Sequence, residues 1–180
     1  MQIFKSLKQT LNGLSSFIKI TRNSFILFLL LFSTSAQSLT HEEHKFVRDI
    51  KYCLEQIEKN PKKNYININP YIIVAMATLE SDYGRSRFAK LGKNFFGIRT
   101  FNLSVPHMKP RHRINPNFGV IKFKHFCGSV SYTLHTLTTH PSYEDFRRTK
   151  NIDYLRPWAE DPMYIDKLEE RIIMLVENNH

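Results

Sequence analysis

Between Tyr83 and Tyr143 the chain has no aspartate and no glutamate. That stretch holds Lys, Arg, His and aromatic residues instead, so a carboxylate acting on it must come from outside it. Cysteine is also scarce: Cys53 and Cys127 are the only two. There is no Cys-x-x-Cys, and the eight His show no His-Glu-x-x-His spacing, which argues against a metal centre or cofactor. No internal repeat or low-complexity tract is present, and a 42% hydrophobic, 23% charged composition is that of an ordinary globular chain. The apolar run from Phe25 to Phe32 falls well short of the ~20 residues a membrane span needs.

No acid occurs before Glu42, whereas Lys5, Lys8, Lys19 and Arg22 precede the apolar run. Thr34 and Ala36 suit the small positions before a cleavage point. Residues 1–36 are therefore expected to be a secretory signal peptide, leaving 37–180 as one domain. An uncleaved anchor is the competing reading. Without the leader's four basic residues, 22 basic side chains face 16 acidic ones, a net charge of +6 against +10 for the whole chain. Part of the basicity is thus an export signal, which weakens a nucleic-acid reading. The remaining charge suits an anionic polymer such as a cell-wall glycan, or a headgroup surface. Contact with a membrane is expected only through the export signal. Export permits a Cys53–Cys127 disulfide, but two small buried apolar side chains fit the sequence equally well.

The periodicity of Phe46, Ile50, Leu54 and Ile57 predicts a helix over 41–60. Asn69-Pro70 supplies a cap and a first-turn proline for an apolar helix reaching about Asp82, with Gly84 as its C-terminal cap. A short helix is expected within 85–96. The Pro-, Asn- and Gly-rich segment from Thr100 to Phe123 reads as an irregular lobe, with Val120 to Phe123 as a hairpin strand. Helices follow over 128–139 and from Pro141. The last helix is expected to start at Asp161-Pro162. The fold class is all-α, with a small irregular or β-hairpin lobe flanking a cleft.

Glu80 sits near the C-terminal end of the apolar helix. Both the helix dipole and burial disfavour its charge there, so its pKa should rise, as a general acid requires. The bland alternative is an ion pair with Arg85 or Arg87.

The segment Ala75 to Ala89, with Glu80-Ser81-Asp82-Tyr83-Gly84 at its centre, and the motif Asn94-Phe95-Phe96-Gly97-Ile98 resemble the signature of glycoside hydrolase family 73 glucosaminidases. These are lysozyme-like enzymes of peptidoglycan, and the likeness is nearest to the Bax-type exported proteins. Phe123, Tyr132, His140, Tyr143 and the ending Trp158-Ala159-Glu160-Asp161-Pro162-Met163-Tyr164 extend it over about 65–175. The resemblance implies a lysozyme-like α+β fold and an endo-β-N-acetylglucosaminidase with Glu80 as general acid. Its substrate would be the N-acetylglucosamine bonds of peptidoglycan or a related glycan, and Asn94, Phe95, Phe96 and Gly97 would line the sugar site.

Two positions depart from the pattern. The family's second acid would fall at Gly119. With no acid there, a substrate-assisted route through the N-acetyl group stays open. Asp82, Glu160 and Asp161 are fallback carboxylates, each with an ordinary structural role available. Trp158 replaces a family Tyr; it can stack on a sugar but offers no phenol. Tyr164 and Tyr132 are the remaining supporting candidates, Tyr164 also having helical core spacing. The basic run Lys109, Arg111, His112, Arg113 reads as a solvated loop. A degenerate relative that binds glycan without turning it over is the rival function.

Overall fold

A computed structural model describes residues 38–60, 64–111 and 117–178. The expected signal peptide and the basic pair His112 and Arg113 lie outside the described residues. Helix α1 (His41–Glu58) starts with a capping box. The Glu43 N–H donates to Thr40 Oγ1 at 3.3 Å and Thr40 N–H to Glu43 Oε2 at 2.9 Å, satisfying two orphan donors reciprocally. Its buried stripe is Phe46, Val47, Ile50, Cys53, Leu54 and Ile57.

Helix α2 (Pro70–Ser81) is the centre of the domain. Asn69 Oδ1 accepts from the Tyr71 N–H at 3.0 Å, and Pro70 occupies the first turn, where no N–H is needed. Every residue from Ile72 to Thr78 is buried, so this helix has core on all sides rather than one apolar stripe. It ends differently from the expectation of a lone Gly84 cap. Asp82, Tyr83 and Gly84 are all left-handed, with φ of 52°, 50° and 77°. Two non-glycine residues in that region cost about 1 kcal/mol each. Buried Ser81 holds the turn: its hydroxyl donates to Ala77 O at 2.6 Å and accepts from the Gly84 N–H at 2.8 Å.

Helix α3 (Arg87–Gly92) is capped by Ser86 and ends at Lys93, φ 51°. The lobe that follows is a three-stranded antiparallel sheet, β1 (Arg99–Thr100), β2 (His107–Met108) and β3 (Gly119–Ile121), with β3 in the middle. The strand is shorter than the expected run to Phe123. After Ile121 the chain leaves the ladder, and the N–H groups of Lys122 and Phe123 donate to Pro106 O and Gly92 O, each at 2.8 Å.

Gly119 is required by close approach. A Cβ built on it would lie 2.4 Å from His107 Cδ2. The imidazole is held there by a 2.8 Å hydrogen bond between Nδ1 and Val105 O. Gly119→Ala should therefore overpack the sheet and cost about 1–3 kcal/mol. The check is thermal denaturation, with Gly119→Ala/His107→Ala regaining part of the loss. An unchanged melting temperature would mean the ring swings aside freely.

Helix α4 (Gly128–Thr139) keeps the expected bounds. The disulfide Cys53–Cys127 joins α1 to the residue before α4, deciding a question the sequence left open. A 3-10 turn (Pro141–Tyr143), helix α5 (Glu144–Thr149) and a second 3-10 segment (Ile152–Trp158) lead to α6 (Tyr164–Glu177), which packs along α2. Helix α6 starts three residues later than expected. Asp161 makes a turn instead, its Oδ1 accepting from the Met163 N–H at 2.9 Å, while its Oδ2 pairs with Lys167. No described helix is long and apolar enough to cross a membrane.

Candidate active site

Three elements and the lobe surround a cleft of about 560 Å3, within the range of small-ligand sites. The end of α2 contributes Glu80. The turn after α3 contributes Phe96 and Gly97, and β1 contributes Arg99. Helix α4 presents Tyr132 and Thr136 at a spacing of four, His140 follows at its C-terminal cap, and the segment around Pro157 adds Trp158 and Glu160. A groove on another face collects Leu54, Ile57, Tyr65 and Leu134 around 420 Å3, but its carboxylate, Glu58, is exposed.

Glu80 is largely buried. Among the described residues its carboxylate makes no hydrogen bond or ion pair. Burial pushes its pKa up to about 7, and the charge of nearby Arg99 offsets this only in part. The alternative partners are engaged elsewhere. Arg85 grips Asp82 through Nη2–Oδ1 at 2.7 Å and Nε–Oδ2 at 3.1 Å, and also reaches Glu43 at 2.9 Å. Arg87 donates to the Lys109 carbonyl. A carboxyl in this setting holds a proton near neutrality and faces open cleft, which is the state that can protonate a leaving oxygen.

Gly97 bounds the approach to that acid. Its φ is +64°, and a Cβ there would lie 3.7 Å from Glu80 Oε2. Glycine thus supplies the left-handed turn and leaves the backbone bare beside the carboxyl. Asn94 makes the turn from beneath and is buried. Its amide donates to Ile98 O and Ile121 O at 2.9 Å each, and its Oδ1 accepts from Ile98 N–H at 3.0 Å. With both donors and the carbonyl in use, Asn94 is a bracket between turn and sheet, not a lining residue.

The chain reversal separates the two phenylalanines. Phe96 reaches the cleft and meets Trp158 edge to face, centroids 6.3 Å apart. Phe95 points into a different groove, against Phe46 at 5.4 Å and Phe126 at 4.7 Å, so it does not share a site with Glu80. Trp158 also lies 6.0 Å from the Tyr143 ring, completing an aromatic wall suited to a sugar face. Tyr132, from α4, also lines the cleft and is exposed, its ring 6.0 Å from Phe123.

Of the fallback groups, Asp82 is bound by Arg85, whose guanidinium lowers its pKa, and does not line the cleft. Asp161 is occupied by Lys167 and the Met163 N–H, which lower its pKa. Tyr164 is buried under the site. Burial, and then the Glu80 charge, raise its pKa strongly, and its hydroxyl has no hydrogen-bond partner among the described residues. It packs in the core beside Glu80 rather than facing a ligand. Glu160 does line the cleft, paired with Arg99 at 3.0 Å. No group of three His, Cys, Asp or Glu among the described residues could hold a metal ion.

The sequence model of the glucosaminidase family, described as mannosyl-glycoprotein endo-beta-N-acetylglucosaminidase, matches residues 56–176. The chain belongs to this family. It is an endo-β-N-acetylglucosaminidase-type glycosidase. Its fold is similar to that of the catalytic domain of the autolysin Auto from Listeria monocytogenes. The TM-score is 0.55 at 21% identity, over 89% of this chain and 94% of that one. The mostly helical domain with its small antiparallel sheet is the lysozyme-like α+β class expected from the sequence. No curated protein gives a significant match.

Residue reasoning missed two cleft groups of this glucosaminidase, Arg99 and Thr136. The spacing of Tyr132, Thr136 and His140 on one helix face was visible as a signal for Thr136. Nothing local marked Arg99, because its importance comes from groups far away in sequence.

Proposed function

We propose that this glucosaminidase is exported and cleaves the β-1,4 bond after N-acetylglucosamine in peptidoglycan, with Glu80 as general acid. The observation that carries the reading is a largely buried carboxyl that has no partner among the described residues, poised near neutrality in a cleft with an aromatic wall. Phe96 and Trp158 would pack on sugar faces, and the bare Gly97 backbone would admit an acetamido group. The likeness to the catalytic domain of an autolysin and the leader-like N-terminus support an envelope substrate. The pattern Phe123, Ser129-Val130, Tyr132, Leu137 to His140, Tyr143 and Arg147-Arg148 supports a place among the Bax-type members.

A second reading rests on one observation. The position expected for the lobe's acid is Gly119, and the space over it is filled by His107. A cleft that binds glycan without turnover would fit that change.

Digestion of purified peptidoglycan by the protein from Gln37 onward separates the two, with reduced products read by mass spectrometry. New reducing N-acetylglucosamine ends are expected. Intact sacculi retaining bound protein would establish the binder instead. The mass of the full-length product after export is part of the same test. A chain starting at Gln37 accords with a cleaved leader, and an intact Met1 with an anchor.

A further inference from the structure

Hydrolysis with Glu80 as acid needs a second group on the opposite face of the sugar, and the acid-free window from Tyr83 to Tyr143 means that the lobe supplies none. The described residues lining the cleft include two carboxylates, Glu80 and Glu160. They come from different elements, one at the end of α2 and the other just after the 3-10 segment Ile152–Trp158. Arg99, on β1, acts on both. Its charge bears on Glu80, and its Nη1 donates to Glu160 Oε1 at 3.0 Å.

We propose that Glu160 is the catalytic base of this enzyme, held by Arg99 and acting across the cleft from Glu80. The inference rests on the glycosidase reading above. The single bond from Arg99 fixes one oxygen of the carboxylate. Among the described residues Oε2 has no hydrogen bond, so it is free to accept from a water. The charge-assisted contact with the guanidinium orients the carboxylate toward the cleft it lines. One carboxyl is largely buried without a partner among the described residues and the other is exposed and held by a guanidinium, a difference in setting that suits an acid and a base.

The step is a single displacement. Glu160 Oε2 takes a proton from water as the water oxygen forms a bond to the anomeric carbon. The bond from that carbon to the leaving oxygen breaks, and Glu80 gives its proton to that oxygen. The products are a hemiacetal of inverted, α configuration and a free hydroxyl on the next sugar. Glu80 ends ionised and Glu160 protonated, and exchange with solvent restores both. Inverting enzymes keep their carboxyls about 6.5–9.5 Å apart so that the water fits. Carboxylates from separate elements, with a guanidinium acting on both, suit that arrangement better than direct contact.

The test compares Glu160→Gln with the wild type on purified peptidoglycan, with and without sodium azide. The expected result is a kcat at least a hundredfold lower with KM changed little. Azide should partly restore turnover, releasing an α-configured glycosyl azide, which a merely structural role for Glu160 would not produce. A variant with wild-type kcat overturns the proposal, as does a β-configured first product from the wild type. Strong inhibition of the wild type by a thiazoline analogue would overturn it too, because the N-acetyl group would then be the nucleophile. In those three cases the wild type still cleaves, so the glycosidase reading survives. A wild type that never cleaves, with or without azide, defeats both.

Discussion

Glu80→Gln should lower kcat on peptidoglycan about a thousandfold, the middle of the range for loss of a general acid. It should also stabilise the protein at alkaline pH. The carboxyl moves from an ordinary 4.5 to about 7 on folding because burial disfavours its charge. The folded protein therefore binds more protons than the unfolded chain between those values, so stability falls as pH rises through that window. Above about 7 the whole cost is present, on the order of 3–4 kcal/mol at ~1.4 kcal/mol per unit. The amide carries no charge at any pH. The variant should melt with the wild type near pH 4 and several degrees above it at pH 8. The wild-type rate should decline above pH 7 as the acid loses its proton. Parallel melting curves from pH 4 to 8 would show that Glu80 is not desolvated, and retained turnover would show that it is not the acid.

Replacing both cysteines by alanine should have the largest effect on stability. The bridge spans 74 residues in sequence. A closed loop of that size removes about 4 kcal/mol of chain entropy from the unfolded state. For a domain of this size the melting temperature should drop by roughly 10 °C or more. Neither sulfur lines the cleft, so the folded fraction should keep its rate at 25 °C. Calorimetry of Cys53→Ala/Cys127→Ala checks this. A drop of only one or two degrees would mean that α1 and α4 pack as well without the bond.

The parts of this fold that the sequence announced are those made by neighbours in the chain. Asn69-Pro70 starts α2 because the cap and the missing N–H act within one turn, and 128–139 is a helix in both accounts. Glu80 stood out because no other acid follows Asp82 until Glu144. The strands were harder. Each is two or three residues long and exists through its partner, so the end of β3 is set by Pro106 and Gly92 rather than by the propensities of Lys122 and Phe123. The facing of Phe95 and Phe96 was hidden for a similar reason. The left-handed turn at Gly97 and the Asn94 bracket send adjacent rings to different grooves. Arg99 and Glu160 are 61 positions apart, and only the closed fold makes them a pair.

The imidazole lying over Gly119 also limits how this protein can change. A carboxylate side chain restored at 119 alone would start within 2.4 Å of the His107 ring. Shrinking His107 alone would leave a hollow over a bare glycine and free the Val105 carbonyl. Each single substitution lowers stability before any benefit arrives. The lobe therefore works as a latch, closed to any one-step change at the pair Gly119 and His107.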